Sequence, residues 1–572
     1  KPLFDTRYSI LDTRRESRNE NRVSRIEYQV CSVLIVVTAI VALALRLPRL
    51  QQRPMHTDEA VHAIKFGELL EQGRYTYNPY EFHGPTLNYL TLIPAWLSST
   101  GKLTEVSEFT LRIVPVFFGV LLVLLLLFMV DGLGSVASAY AAVLTAISPV
   151  MVFYSRYYIQ ETLLVCFTFG TIAFGYRYTQ TRDIIWVILC GACLGLMHAT
   201  KETSIIAFGS MFLAVLLTRL WEKPPVKLGA KYLFFCHLFA GLSTGALISA
   251  LFYSSFFTNP NGIWDSFRTY ATYFNRATTN SLHFHRWYYY LKMLIYSRYA
   301  AGPVWSEAVI VFLAVVGFIV AVIRRMPYGR AKNVTHGPQP VARDFNLLRF
   351  IAFYTLTMTI VYSTIRHKTP WCMLGLLHGM VLLAGVGACT AIKMAQHILP
   401  RLIVICLLIA ASGHLVWQTY LANYVYYADP RNPYVYAHTT TDVFTMVQRI
   451  EEIAEVHEDG KAMEIHFICP DEHDFWPFPW YLRSFPNVGY FNTVTDRVVS
   501  ASVIIASASV EQELLTRLYE LPPPGQKRLY VPLFDTYMEL RPQIELRGYV
   551  PKDLWDRLQQ RQNPASKVGL NI

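Results

Sequence analysis

Two adjacent acids, Asp58 and Glu59, are the residues of this chain best suited to do chemistry. They follow soon after the first long hydrophobic segment, residues 29–47. Acidic side chains are costly where a membrane helix meets water unless they are solvated, paired with a positive charge or required for function. A carboxylate in such a place can take a proton from a reacting hydroxyl group. The alternative is a solvated helix start, with Thr57 as N-cap and both acids in the first turn, where the helix dipole favours negative charge.

The composition indicates an integral membrane protein. Of 572 residues, 53% are hydrophobic and only 16% are charged, whereas about a quarter of a soluble protein is charged. Hydrophobic runs of about 20 residues recur, and each is long enough to cross roughly 30 Å of hydrocarbon as a helix. We predict eleven spans, at residues 29–47, 110–130, 135–153, 159–178, 184–199, 203–219, 231–253, 303–323, 346–365, 371–392 and 399–419.

Positive charge predicts the orientation of these spans. The net charge is +11, and because no soluble segment interleaves a basic strip with exposed aromatics, we expect no nucleic-acid partner. Residues 1–28 and the loops 221–231 and 324–345 are rich in Lys and Arg, which mark the cytoplasmic side. We therefore expect a multi-pass protein of the plasma membrane with a cytoplasmic N-terminus and an uncleaved first span. Residues 84–100 are apolar too, but counting them as a span would put the basic loop 324–345 outside, so we predict a helix lying on the outer surface.

With this topology, charged clusters from distant parts of the chain share the outer face. Arg156 and Glu161 follow the third span, Lys201 follows the fifth, and His367 with Lys368 follows the ninth. Asp58 and Glu59 emerge on the same side, as does the outer loop 254–302. Ionisable groups near membrane depth are functional candidates. The alternative is that the opposite charges only neutralise one another.

After the last span the pattern changes. Short β-like runs at 463–468, 502–506 and 529–534 alternate with helical stretches at 442–457, 509–519 and 551–560. This alternation predicts a small α/β domain over residues 425–572. It contains one cysteine, Cys469, so no disulfide can form inside it. The aromatic segment 474–483 fits either sugar stacking or the capping of a core, and the sequence does not decide between them.

Short motifs carry a resemblance to a known family. Gly84-Pro85-Thr86-Leu87, the 111–115 segment LRIVP, Ser148-Pro149, Tyr154-Ser155-Arg156 and Gly195-Leu196 with Thr200-Lys201 occur in this order. Together with the early acidic pair, they resemble the dolichyl-phosphate-mannose protein mannosyltransferase superfamily of GT-C-fold glycosyltransferases. The segments 368–371, 429–438 and 476–483 are similar to a narrower branch, the archaeal and bacterial flippase-activity-associated proteins of surface N-glycosylation. The resemblance covers nearly the whole chain beyond residue 28.

The resemblance implies an architecture and a reaction. A cytoplasmic basic tail (1–28) would precede a GT-C-like transmembrane domain (29–424), whose first outer loop is 58–109 and whose second large outer loop is 254–302. An extracytoplasmic α/β domain (425–572) would follow. The reaction would move a sugar from a polyprenyl-phosphate donor to a glycan, lipid or protein acceptor, by inverting displacement. Membrane lipids and a larger membrane assembly are the other expected partners.

The resemblance also suggests roles for individual residues. Asp58 matches the essential first-loop Asp and would act as the base, and Glu59 would orient it or contact the sugar. Glu161 approximates the second acidic position, where Asp is usual. The remaining candidates are cations for the donor phosphate, namely Arg156, Lys201, His367 and Lys368, and residues for substrate binding, namely His83, Trp371, Trp476 and Trp480.

Metal binding and two other protein classes are the alternatives. His56, Asp58 and His62 form a set that would suit zinc if the loop folded back. Superfamily members with an Asp-Glu pair generally work without a metal, so we expect no cofactor. A non-catalytic accessory protein could bind lipid-linked glycan without transfer. An ion-coupled transporter fits less well, because its two halves should show matching broken helices at the membrane midplane.

Overall fold

The computed structural model describes residues 5–81, 83–222, 231–278, 283–323, 344–522, 525 and 527–562. Most of the basic loops that predict the orientation, 221–231 and 324–345, lie outside the described residues. The α-helices are α1 (Asp5–Arg46), α2 (Thr57–Gln72), α3 (Thr86–Leu97), α4 (Glu108–Leu124), α5 (Val130–Leu133), α6 (Ser135–Ile147), α7 (Pro149–Tyr154), α8 (Glu161–Thr181), α9 (Ile184–Thr200), α10 (Ser204–Glu222), α11 (Lys231–Tyr253), α12 (Asn261–Thr278), α13 (Tyr289–Ile295), α14 (Ala308–Ile323), α15 (Phe345–Thr364), α16 (Leu374–Met394), α17 (Ile398–Tyr420), α18 (Asp442–Ala454), α19 (Phe478–Tyr481), α20 (Glu511–Leu515) and α21 (Lys552–Gln562). The strands are β1 (Ile465–Ile468), β2 (Val488–Phe491), β3 (Val503–Ser507), β4 (Tyr530–Pro532), β5 (Glu539–Arg541) and β6 (Ile544–Pro551).

Every segment that the sequence predicts as a span is mainly helical, but the segment 135–153 is divided at Ser148 into α6 and α7. Among the described residues, 7 helical segments are long and apolar enough to cross a membrane, and α6, α9 and α14 are shorter apolar helices. The remaining predicted span, 159–178, corresponds to α8, which has 21 residues. The predicted fold class, a mostly helical multi-span membrane protein with a small C-terminal sheet domain, is confirmed. The helix predicted at 84–100 is present as α3, and its position on the membrane surface stays a prediction.

The chain forms two compact units. The first consists of Lys1–Pro48, Arg74–Leu90 and Arg112–Val425, and the second of Arg49–Gly73, Thr91–Leu111 and Tyr426–Ile572. The sequence assigns all of 58–109 to the membrane domain, whereas this division puts α2 in the same unit as the C-terminal sheet. The acidic pair therefore belongs to the second unit.

Close backbone packing fixes α9 within the first unit. A Cβ atom on Gly191 would lie 2.1 Å from the carbonyl oxygen of Gly241, and one on Gly195 would lie 2.4 Å from that of Gly245. Glycines spaced four residues apart on α9 thus face glycines with the same spacing on α11. In lipid the hydrophobic effect does not drive helices together, so close packing at small residues of this kind stabilises the contact between them. They hold α9, whose C-terminal end carries Lys201.

A mixed sheet forms the core of the second unit. Its strand order is β2-β1-β3-β6-β4, and β5 pairs with β6. β1 is parallel to β2 and β3, and the register brings Ile465 opposite Val503. β6 is antiparallel to β3 and β4. Val443 and Ile450 of α18 and Leu554 of α21 pack into the buried cluster with β1 and β3, which confirms the predicted α/β character.

Candidate active site

Helix α2 presents the acidic pair through a capping box. His56 is the N-cap residue and has an extended backbone, whereas the alternative of a solvated helix start places Thr57 there. The His56 Nδ1 accepts a hydrogen bond from the Asp58 N–H at 3.1 Å, and Glu59 Oε2 accepts one from the His56 N–H at 3.1 Å. These reciprocal bonds satisfy N–H groups that the first turn of a helix otherwise leaves without partners. At the other end, Gly73 closes α2 in the left-handed conformation with φ 67°.

The two acids therefore have different environments. The Glu59 side chain is 0% exposed, and its Oε1 lies 3.8 Å from Nη2 of Arg53. The Asp58 side chain is 46% exposed, and its Oδ2 lies 3.9 Å from His56 Nδ1. The Glu59 carboxylate is thus buried in the capping box, while the Asp58 carboxylate is accessible to a reactant.

The geometry of His56 argues against the zinc set that the sequence considers. Its Nδ1 accepts from the backbone of Asp58, and its Nε2 lies 3.2 Å from the Tyr436 carbonyl oxygen. Both ring nitrogens are engaged, so neither offers a lone pair to a metal in this arrangement. Within the described part of the chain, no three His, Cys, Asp or Glu side chains converge as metal ligands. Metal binding by His56, Asp58 and His62 would therefore require His56 to release one of these contacts, and it stays an untested alternative.

In the first unit, Glu161 and Lys201 form a buried ion pair. Glu161 is the first residue of α8, and Lys201 is the C-cap of α9 with an extended backbone. Both side chains are 6% exposed, and the Lys201 Nζ donates to Glu161 Oε1. In a buried pair each charge compensates the other, and the loss of either partner is strongly destabilising. Two predicted site residues are thus brought together from helices that are separate in the sequence.

A small cavity lies beside this pair. It has a volume of ≈ 20 Å³, and Glu161, Thr203, Tyr362 and Trp371 are among the residues that line it. This volume is enough for about one water molecule. The Glu161 Oε2 atom has no hydrogen-bond partner among the described residues. The predicted substrate residue Trp371 is buried and lies edge-on to Tyr154, with ring centroids 6.0 Å apart.

A second carboxylate, Glu202, organises the loop that precedes α3. His83 Nδ1 lies 2.8 Å from Glu202 Oε2, and the Tyr77 hydroxyl donates to Glu202 Oε1 at 3.2 Å. Burial by itself raises the pKa of Glu202, but His83 and Lys201 outweigh burial and hold the pKa below its ordinary value. The predicted substrate residue His83 is therefore bonded to a carboxylate. The sequence gives Glu202 no role, although its position directly after Lys201 is the signal that could have identified it.

The same loop is fixed to the end of α9 by its backbone. A Cβ atom on Gly84 would lie 2.2 Å from the carbonyl oxygen of Ala199. The Thr86 hydroxyl donates to this same carbonyl at 2.7 Å. The Gly-Pro-Thr motif thus has a packing reason, because only glycine permits this approach.

Arg156 and Lys368 make contacts that the sequence does not predict. Arg156 Nη1 donates to the Tyr424 hydroxyl at 2.8 Å, and the guanidinium lies 4.7 Å from the centroid of that ring. Lys368 Nζ donates to the carbonyl oxygens of Tyr362 at 3.1 Å, of Ser363 at 3.0 Å and of Ile365. Lys368 therefore caps the C-terminus of α15 with its three protons. Phosphate binding by Lys368 stays a prediction, and it would require the release of at least one of these bonds.

His367 lies where two segments pair. Phe284 and His367 form an antiparallel bridge, and the rings of His283 and His367 are 5.0 Å apart. A surface cavity of ≈ 350 Å³ lies at this pairing and is lined by Arg286 and Arg366, among others. A role for His367 with the donor phosphate stays a prediction.

The aromatic segment of the second unit is mainly structural. Trp480 is fully buried, its Nε1 donates to Glu108 Oε1 at 2.9 Å, and the Arg483 guanidinium lies 3.8 Å from the centroid of its ring. Because the ring face is covered, Trp480 caps a core and does not offer a surface for sugar stacking. Trp476 is partly buried next to Phe475, with ring centroids 6.2 Å apart, and its substrate role stays a prediction.

Comparisons with a family model and with solved structures find proteins similar to this chain. Residues 91–244 match the model of the dolichyl-phosphate-mannose-protein mannosyltransferase family. The fold is similar to that of ArnT from Cupriavidus metallidurans bound to undecaprenyl phosphate, with a TM-score of 0.59 and 13% identity over 90% of this chain and 97% of ArnT. It is also similar to the Archaeoglobus fulgidus oligosaccharyltransferase tethered with an acceptor peptide, with a TM-score of 0.52 and 12% identity over 85% of this chain and 70% of that one.

No curated protein sequence matches this chain. The matched segment 91–244 contains Arg156, Glu161 and Lys201, and the solved structures share the helical architecture over most of the chain. The protein thus has the fold of the GT-C glycosyltransferases, the superfamily that its sequence resembles.

Proposed function

We propose that this protein is a membrane glycosyltransferase that moves a sugar from a polyprenyl-phosphate donor to an acceptor by an inverting displacement. The observation that carries the proposal is the asymmetry of the acidic pair. Glu59 is buried in the capping box, and Asp58 holds a 46% exposed carboxylate at a fixed helix start. A positioned, accessible carboxylate is what general-base catalysis requires.

The proposed reaction has a single displacement step. An acceptor oxygen attacks the anomeric carbon as Asp58 takes the proton from that oxygen. The bond between the anomeric carbon and the phosphate oxygen breaks, and the electron pair leaves with the lipid phosphate. Lys201 and Arg156 are the proposed cations that stabilise the charge on this leaving group. No metal takes part in the steps proposed here.

The donor class is supported by the fold and by chemistry. ArnT, which has this fold, is described with bound undecaprenyl phosphate. A leaving phosphate needs nearby cations, and Lys201 and Arg156 both lie in the segment that matches the mannosyltransferase family. We therefore propose a polyprenyl-phosphate sugar as donor, with membrane lipids around the helices, and a glycan, lipid or protein as acceptor.

We also propose that the protein lies in the plasma membrane with residues 425–572 outside the cytoplasm. The exposed positions Arg25 and Ser509 allow a direct test. An impermeant maleimide added to intact cells should label Ser509→Cys above the wild-type background, and Arg25→Cys should be labelled only after lysis. Labelling in the opposite order would reverse the orientation.

The reaction is tested by Asp58→Asn in purified protein with a panel of undecaprenyl-phosphate sugars. The amide keeps the side-chain volume but cannot accept the proton at neutral pH, and losing a general base costs about 10²–10⁴ in rate. Glu68→Gln is the matched control, because Glu68 lies on the same helix and its side chain is 45% exposed. We expect the control to keep wild-type turnover and Asp58→Asn to keep donor binding. Wild-type product levels from Asp58→Asn would rule out the mechanism and favour a non-catalytic accessory protein.

A further inference from the structure

The chain directly before Asp58 is held by residues of the C-terminal domain that belong to the same compact unit. Met55 is completely buried, and its N–H donates to the Tyr481 hydroxyl at 2.8 Å. Its carbonyl oxygen accepts a hydrogen bond from the Thr439 hydroxyl at 2.8 Å. Both backbone polar groups of this residue are therefore satisfied by side chains more than 380 positions away.

His56 is held from the same side. Its Nε2 lies 3.2 Å from the Tyr436 carbonyl oxygen, and its ring stacks on that of His438 with centroids 5.7 Å apart and an interplanar angle of 18°. Because the Nδ1 of this ring caps α2, the C-terminal domain sets the orientation of the cap itself. A rotation of the ring would remove the hydrogen bond to the Asp58 backbone.

Arg541, the last residue of β5, connects the domain to the first residue of α2. Its Nη1 donates to the Thr57 hydroxyl at 3.1 Å. Its Nη2 donates to Asp474 Oδ1 at 2.5 Å and to the carbonyl oxygen of His473 at 3.0 Å. The side chains of Arg541 and Asp474 are only 13% and 16% exposed, so this charge pair is weakly screened by water.

We propose that Arg541 is a positioning residue for Asp58, so that the C-terminal domain sets the place of the catalytic carboxylate. The inference rests on the proposed function of Asp58. The planar guanidinium holds Asp474 with one nitrogen and Thr57 with another, and neither lysine nor glutamine can span both partners in this way. A displacement of about 1 Å in a reacting group can cost 10²-fold in rate. The domain therefore contributes to turnover through geometry, without touching the substrate at Arg541.

The test compares Arg541→Gln with a matched control in the same domain. Arg547→Gln serves as control, because Arg547 on β6 pairs with Glu511 and Glu545. We expect Arg541→Gln to lower kcat by roughly 10- to 100-fold, with the KM for the donor unchanged within about twofold. The control should keep wild-type kcat, and the two variants should have similar unfolding temperatures.

A second variant tests whether the effect passes through Thr57. Thr57→Val removes the acceptor of Arg541 and keeps the shape of the side chain. If Arg541 acts through Thr57, the double variant Thr57→Val/Arg541→Gln should be no slower than Arg541→Gln alone, because residues in one network are not additive. Additive losses in the double variant would overturn the proposed route.

A measurement without turnover separates this inference from the proposed function. Hydrogen exchange at the amides of residues 58–60 should become at least about tenfold faster in Arg541→Gln than in Arg547→Gln, because the helix start is released. If exchange is faster in Arg541→Gln but the Asp58→Asn variant keeps full activity, the catalytic mechanism is refuted, and the positioning of the start of α2 by Arg541 is supported. Unchanged exchange, or wild-type kcat in Arg541→Gln when Asp58→Asn is inactive, would overturn the inference itself.

Discussion

The buried pair of Glu161 and Lys201 gives the sharpest test of how this protein combines stability with function. Both side chains are 6% exposed, and Glu161 Oε2 already has no hydrogen-bond partner among the described residues. In Lys201→Met, Glu161 loses the donor to its other oxygen as well. Removing one partner of a buried pair usually costs about 3–5 kcal/mol, since a buried charge is left without compensation. We therefore expect Lys201→Met to lose about 3–5 kcal/mol of stability at pH 7.

The assay is reversible unfolding in mixed micelles, with donor transfer measured in parallel. The double variant Glu161→Leu/Lys201→Met removes both charges and should be as stable as the wild type or more stable, as for other buried pairs replaced by apolar residues. It should nevertheless lose transfer, because the cation proposed for the donor phosphate is gone. Arg268→Gln is the control, since Arg268 is 71% exposed in its pair with Asp265, and exposed pairs contribute about 0–1 kcal/mol.

Two results would refute this reasoning. A loss below about 1 kcal/mol in Lys201→Met at pH 7 would show that the pair is not a buried, charged one. Wild-type transfer by the stable double variant would show that Glu161 and Lys201 serve the fold alone. In that case the donor phosphate must be bound by other cations, with Arg156 the next candidate.

Two further predictions concern the first unit. The pKa of Glu202 is held below its ordinary value of 4.5. The contacts of the ionised Glu202 therefore stabilise the fold above pH 4.5, and this contribution is lost as the pH falls through the lowered pKa. Between pH 7 and pH 3, the free energy of unfolding should decline less in Glu202→Gln than in the wild type. Gly191→Ala should destabilise the protein, because the new Cβ would lie 2.1 Å from the Gly241 carbonyl oxygen and α9 must move away from α11. The thermal midpoint should fall in Gly191→Ala and stay unchanged in Gly209→Ala, where a Cβ meets nothing within 4 Å.

The membrane helices were predictable because their signal is local and strong. A run of about 20 apolar residues has few structural alternatives in a bilayer, and each predicted segment is mainly helical. α8 shows where the signal weakens, because polar residues such as Glu161, Thr162 and Thr168 are buried inside the helix bundle. Hydropathy alone cannot show that such residues face protein instead of lipid.

The sheet was harder to predict from sequence. β1 and β3 are buried and rich in Ile and Val, so the sequence identifies both. β2 is only partly buried over four residues, and β6 mixes Glu545, Arg547 and Gly548 into its strand. The position of β6 between β3 and β4 comes from long-range pairing, for which the sequence has no local pattern.

Long-range contacts also explain which site residues sequence reasoning could not place. The sequence places Glu161 and Lys201 on the same side of the membrane but does not predict that they bond to each other, and the three carbonyl oxygens around Lys368 do not follow from any motif. Trp480 shows the same limit, because a buried tryptophan and a sugar-stacking tryptophan occur in the same Pro-rich aromatic context. Only the contacts with Glu108 and Arg483 distinguish the two cases.

A shift of the N-cap of α2 by one residue decides which acid of the pair is accessible to a reactant. If Thr57 capped α2, Ala60 would take the third helical position, and both acids would stand solvated in the first turn. With His56 as the cap, Glu59 takes that position, and its carboxylate bonds back to the His56 N–H. Thr57 fits the usual preference for hydroxyl caps, but contacts from Tyr436 and His438 hold His56 in the capping position instead. The fold thus buries Glu59 and leaves Asp58 as the accessible carboxylate of the pair, a distinction that no local pattern in the sequence contains.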